Sequence, residues 1–198
     1  MNRGELRASF LDLLNRTDCT DNLADTFLTL GIRRIERVLR TPFQKAVAEL
    51  VVPADYSGFV FIPSDYLGMD WIRVNDVTLT KDSPSSLKVE YSRPTVFYVE
   101  GSRFYFKSDL KVGDNVRMSY YRATTYGTND NEITGASTII PDLTVYAALV
   151  FAGVHFVDER RGDFAAMFKE LRDEVQVQSD MDGFTGSASI RNPYEGFC

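Results

Sequence analysis

Residues 96–106, Val96-Phe97-Tyr98-Val99-Glu100-Gly101-Ser102-Arg103-Phe104-Tyr105-Phe106, read VFYVEGSRFYF. Two runs of aromatic and β-branched residues, the side chains that suit a pleated surface, flank Glu100-Gly101-Ser102. Glycine reaches the positive φ that a tight turn requires, so the stretch is predicted to be a β-hairpin. Outward from it, short β-rich runs recur at 46–52, 59–62, 71–79 and 115–122, with further turn chemistry at Lys111-Val112-Gly113-Asp114. The middle of the chain therefore reads as strands, and the Thr-, Asn- and Gly-rich residues 124–138 read as the loop that leaves them.

On both sides of this middle the apolar period changes from two to between three and four. Leu6, Phe10, Leu13 and Leu14 predict a first helix over 5–14, followed by the cap-rich Asn15-Arg16-Thr17-Asp18-Cys19-Thr20. A second helix starts near Asp21, turns Leu23, Phe27, Leu30, Ile35 and Val38 inward, and stops at Thr41-Pro42, because the residue before proline avoids helical geometry. Helical spacing returns at Asp142, the predicted cap, with Leu143, Tyr146, Ala147, Val150, Phe151 and Val154. A last helix after Arg161-Gly162 carries Phe164, Met167, Phe168, Leu171 and Val175. The expectation is an α+β fold: a helical bundle made by a hairpin at 1–45 and another at 141–178, an inserted β region at 46–140, and a polar, flexible tail at 179–198.

Composition narrows the function classes. Of 198 residues, 44 % are hydrophobic and 13 % aromatic, so most of the chain is expected to fold, with roughly 70 % of its unfolded surface buried. Lys and Arg number 22 against 28 Asp and Glu, a net charge of −6, which argues against a protein that holds nucleic acid by neutralising phosphates over its surface. Cys19 and Cys198 are too few and too far apart for a disulfide framework or a thiolate metal site. No apolar run approaches the roughly 20 residues of a bilayer span, and residues 1–5 lack the apolar stretch of a secretion signal, so a reducing interior is expected.

Two charged stretches raise the question of chemistry. In Gly153-Val154-His155-Phe156-Val157-Asp158-Glu159-Arg160-Arg161-Gly162-Asp163 the only histidine precedes two carboxylates by three and four residues. If helical, that spacing gathers His155, Asp158 and Glu159 on one face. One imidazole without a nearby thiol suits few transition metals, and the plainer reading is a helix C-terminus and the bend into the next helix. Neither Gly-x-Ser-x-Gly nor a phosphate-cradling glycine motif is present, so no catalytic, metal or cofactor residue is assigned. A carboxylate-only enzyme leaves no spacing rule, and no pair of acids stands out. The second stretch, Arg33-Arg34-Ile35-Glu36-Arg37-Val38-Leu39-Arg40, sets Arg33, Arg37 and Arg40 along one helix face. Either it is a solvated, dipole-compensating helix end, or it is an interface whose guanidinium forks meet a partner's carboxylates. The alternative use of helix 33–40, nucleic-acid binding, is opposed by the nearby acids Asp18, Asp21, Asp25 and Glu36.

In their order along the chain, several stretches resemble the adaptor, or head-to-tail connector, proteins of tailed bacteriophages. They are Leu14-Asn15-Arg16-Thr17-Asp18, Arg34-Ile35-Glu36-Arg37-Val38-Leu39-Arg40, Ile62-Pro63-Ser64-Asp65-Tyr66-Leu67, the hairpin 97–106, Val116-Arg117-Met118-Ser119-Tyr120-Tyr121, and Pro141-Asp142-Leu143-Thr144-Val145-Tyr146-Ala147-Ala148-Leu149. The resemblance covers most of residues 5–178. It implies a non-catalytic virion protein at the head-tail junction, assembled in the host cytoplasm and needing no cofactor. It implies further a dodecameric homo-oligomeric ring, a portal protein above, a tail or nozzle protein below, and viral DNA passing through a central channel without specific binding. Arg33, Arg34, Arg37 and Arg40, with Asp158 and Glu159, are the expected subunit or partner contacts. Phe184, Ile190, Tyr194 and Phe197 are the expected anchors of a tail that docks on the portal. At roughly 3.3 Å per residue, 20 residues reach about 65 Å, enough to leave one subunit for another protein.

Overall fold

The computed structural model describes residues 1–82, 96–106 and 110–183. It is mixed α+β, with two sheets and five α-helices among the described residues. The chain divides into two compact units, one of residues 1–5 and 43–139, the other of 6–42 and 140–198. Apart from residues 1–5, the strand-rich unit lies, in sequence, between the two segments of the helical one.

In the strand-rich unit one sheet has the order β1-β8-β3-β4, built from β1 (Lys45–Val51), β3 (Tyr66–Val74), β4 (Val77–Thr78) and β8 (Asn115–Arg122), all antiparallel. The other, β2-β7-β6-β5, joins β2 (Phe59–Phe61), β5 (Thr80–Lys81), β6 (Val96–Glu100) and β7 (Arg103–Phe106). The predicted hairpin is β6 and β7: Glu100 pairs with Arg103 across Gly101-Ser102, and Gly101 has φ 58°. Tyr98 and Tyr105, directly opposed, stack with ring centroids 5.0 Å apart, a cross-strand pair that fixes register. Val60, Ile72, Val74, Phe97, Phe104, Val116 and Met118 share one buried core.

The expected single strand at 71–79 is two strands. β3 starts five residues earlier and turns at Asn75-Asp76, whose φ values of 48° and 66° are those of a two-residue hairpin turn. Asn and Asp tolerate this region through local side-chain hydrogen bonds. The Asn75 amide donates to Asp114 Oδ1 at 2.7 Å and its oxygen accepts from Asn115 N at 2.9 Å. A one-turn helix, α3 (Gly135–Thr138), forms inside the expected loop, its start closed by reciprocal bonds between Thr134 and Ser137.

The helical unit holds most of α1 (Arg3–Leu14), with α2 (Asp21–Val38), α4 (Pro141–His155) and α5 (Arg161–Gly183). Thr20 caps α2, its hydroxyl accepting from Leu23 N, and Arg7 grips Asp25 through Nε at 2.7 Å and a terminal nitrogen at 3.1 Å. α2 lies on α4 at Gly31, where an added Cβ would stand 2.9 Å from Ala148 N and 3.1 Å from Thr144 O. Only the absent side chain permits that approach. The small residues Ala147, Ala148 and Ala152 are buried beside Leu143 and Leu149.

Three boundaries differ from expectation. α2 ends at Val38, not at 41: Leu39 is already extended (φ −120°, ψ 146°) and takes the buried position, leaving Val38 49 % exposed. α4 opens with Pro141 at its first position, so Asp142 is not the cap but sits in the first turn, accepting from Leu143 N at 2.8 Å. α5 runs through Ser179 to Gly183, so the first five residues of the expected tail, 179–183, are helical. Ser179 Oγ donates to the Arg40 carbonyl at 3.2 Å, and between Gly162 in the first turn and Gly183 the helix holds no glycine or proline.

Candidate functional site

The joint between α4 and α5 is built from backbone outward. Asp158 N donates to Gly153 O at 2.9 Å and Val157 N to Val154 O at 3.4 Å, the paired bonds that close a helix through a left-handed residue. That residue is Val157, at φ 53°, where glycine normally sits and a β-branched side chain is strained. The helix ends at His155, so Asp158 and Glu159 lie beyond it, and the shared face suggested by the spacing does not form.

Asp158 instead turns back on Arg160. Its Oδ1 accepts from Arg160 N at 2.9 Å and Nε at 3.1 Å, and its Oδ2 from a terminal nitrogen at 2.8 Å. The Arg160 guanidinium, with its backbone N–H adding to the effect, holds the Asp158 carboxyl down to about 2. The same guanidinium donates to Leu14 O at 2.7 Å and Leu13 O at 3.3 Å, the carbonyls left open where α1 ends. Asp158, expected to face a neighbouring subunit, has a side chain only 9 % exposed and pairs within the chain with Arg160, two residues away. Glu159 is exposed.

Around the joint the interactions are packing contacts. His155 meets the ring of Phe27 edge-on at 5.4 Å and that of Phe156 at 4.7 Å. Arg16 lies 4.5 Å over the Phe156 ring while pairing with Asp18 at 2.7 Å, which keeps the Asp18 carboxyl below its usual range. Burial pushes the Cys19 thiol up, away from reactivity. Among the described residues no group of three or more His, Cys, Asp or Glu gathers for a metal.

At the other end of α2 the four arginines part company. Arg34 turns inward, 4.4 Å over the Phe168 ring and 5.8 Å from that of Phe151, where burial above all, then Arg172 and Arg37, lowers its pKa. Expected at an interface, it is committed to its own unit. Arg40 donates to the carbonyls of Glu36 and Leu39, capping its helix. Arg37 Nε donates to Arg33 O at 3.1 Å, and Arg33 and Arg37 are both exposed. Neither forms an ion pair among the described residues. Arg160, assigned no role from the sequence, ties the joint to the end of α1; the Asp158-x-Arg160 spacing was its one visible signal. Phe184, Ile190, Tyr194 and Phe197 lie outside the described residues.

Charges that staple helix ends, aromatic rings that seat guanidinium groups and two exposed arginines on a packed helix are contacts that suit a structural component. Its family is shown by a model described as SU10 adaptor protein, which matches residues 1–191: the chain belongs to this family of bacteriophage adaptors. It is a structural adaptor protein of a phage head-tail junction. No curated protein matches the chain. No described helix is long and apolar enough to cross a membrane.

Proposed function

We propose that this chain is the repeating subunit of a dodecameric ring beneath the portal, joining the DNA-filled head to a tail or nozzle protein below. The observation that carries the reading is the family match over residues 1–191. The helical unit is the bundle that forms the ring body, and the two sheets are its inserted region. Residues 184–198, with Phe184, Ile190, Tyr194 and Phe197, dock on the portal. A net charge of −6 suits a channel through which DNA slides, since phosphates are repelled rather than held. Nucleic-acid binding by helix 33–40 is not favoured: Arg34 and Arg40 are already engaged within the chain.

The test is the mass of the purified chain alone and after mixing with portal rings, by sedimentation or native mass spectrometry. A portal-bound assembly of twelve chains is expected, lost or weakened when residues 184–198 are removed. A chain that stays monomeric with and without portal overturns the ring, and undiminished binding after truncation overturns the role of residues 184–198.

A further inference from the structure

We infer that the ring contact pairs Arg33 and Arg37 of one copy with Glu170 and Glu174 of the next. This rests on the ring reading above and names the surfaces that close it.

On α5, Met167, Glu170, Glu174, Val177 and Met181 follow one another at spacings of three, four, three and four residues. That spacing draws a single seam along a helix, of the sort that meets another helix. All five are exposed, Val177 by 54 % and Met181 by 69 %, and Glu170, Asp173, Glu174, Val177, Gln178 and Met181 line an open groove. Two large apolar side chains beside two carboxylates, all exposed, make a face that gains from being covered.

Charge selects what covers it. Glu170 and Glu174 have no ion-pair partner among the described residues, and neither do Arg33 and Arg37. Each pair is separated by four residues, one helical turn, hence about 6 Å along its axis. Two guanidinium groups therefore meet two carboxylates with matched spacing, and the exposed Val38 adds apolar surface beside them. The occupant is a second copy, because both complementary faces belong to this chain and do not pair within it among the described residues. Arg34 over Phe168, with Arg172 close by, marks the side of α5 that faces α2. Glu170 and Glu174 are each two residues from Arg172, roughly 200° around the helix, on the far side. A contact between two different surfaces is head-to-tail, the kind that builds rings when its rotation closes. Exposed ion pairs add little affinity singly; here they set register and orientation, while Val38, Val177 and Met181 supply the burial.

Charge reversal tests this in the full chain, with circular dichroism confirming the fold of each variant. Arg33→Glu with Arg37→Glu, and separately Glu170→Arg with Glu174→Arg, are each expected to weaken assembly by about tenfold or more per contact, measured by sedimentation with and without portal. Mixing the two variants restores assembly, because every contact in an alternating ring is again complementary. If the wild type assembles and the variants assemble equally well, this contact is overturned while the ring stands. A wild type that never assembles overturns both. A Glu170/Glu174 defect that the arginine reversal does not rescue, and that truncation after residue 183 reproduces, assigns the groove to the chain's own C-terminal segment and overturns the pairing. Loss of duplex DNA binding in the arginine variant, with assembly unchanged, overturns it in favour of nucleic acid.

Discussion

The α4–α5 joint and the C-terminal end of α2 have similar composition, several charges beside aromatic residues within a dozen positions, yet the fold uses them in opposite ways. At the joint the charges are satisfied inside the chain: Asp158 fixes Arg160, and Arg160 covers the last carbonyls of α1. On α2, Arg34 is absorbed by Phe168, while Arg33 and Arg37 are exposed and, among the described residues, form no ion pair. The difference lies in what each side chain can reach. Arg160 reaches the open carbonyls where α1 ends, whereas Arg33 and Arg37 lie on an exposed face of α2, Arg37 reaching only the Arg33 carbonyl of its own helix. Charge in a sequence therefore indicates neither site nor staple until its acceptors are known.

The largest expected effect tests what holds α2 at its present roll. Gly31→Val places a branched side chain against the backbone of α4 and should destabilise the protein by about 3 kcal/mol or more, seen as a lower urea midpoint. A near-neutral result would mean that α2 is free to rotate, and the contrast between its two faces would collapse. Next is Arg160→Ala, which uncovers the Leu13 and Leu14 carbonyls and strands Asp158. Its thermal midpoint should fall further than that of Arg33→Ala or Arg37→Ala, and equal shifts would erase the distinction between the two regions.

Val157→Gly should act in the opposite direction, stabilising by about 1 kcal/mol, because glycine adopts φ 53° without strain and the 78 % exposed valine loses little packing. Destabilisation would show that the valine side chain contributes contacts worth more than the strain. The acid limb reads the Asp158 staple directly. Its carboxyl is depressed from 3.8 to about 2 in the folded chain, so the unfolded state binds more protons between those values. The stabilisation is complete above the unfolded value and is lost as pH falls toward about 2. Asp158→Asn should be less stable than wild type at neutral pH, with the gap closing over that window in urea titrations. Smallest of all, Arg33→Ala should change monomer stability by no more than about 0.5 kcal/mol, since its guanidinium has no ion-pair partner among the described residues.

Much of the architecture was legible in the local pattern. The hairpin at Gly101, the strands flanking it and the helical periods on either side depend on neighbours within four residues, and the chain folds them as that pattern predicts. Element ends were less legible. Asn75-Asp76 carries no glycine, yet both residues take positive φ because Asp114 and Asn115 receive the Asn75 side chain from across the sheet. α5 passes its expected end, where Ser179 finds a carbonyl 139 residues earlier in the chain. Arg160 was overlooked for the same reason: its acceptors on α1 lie 146 and 147 positions away.

By itself, then, the sequence determined the alternation of helix and strand, the turn at Gly101 and, through the order of its short motifs, the adaptor family, because periodicity and turn chemistry are written in adjacent residues. Only the tertiary structure decided which charges are spent and which remain open. Asp158 and Arg34 are engaged within the chain, while Arg33, Arg37, Glu170 and Glu174 are exposed without an ion-pair partner among the described residues. The reason is physical: whether a charge faces a carbonyl, a ring or water depends on residues brought beside it from distant parts of the chain.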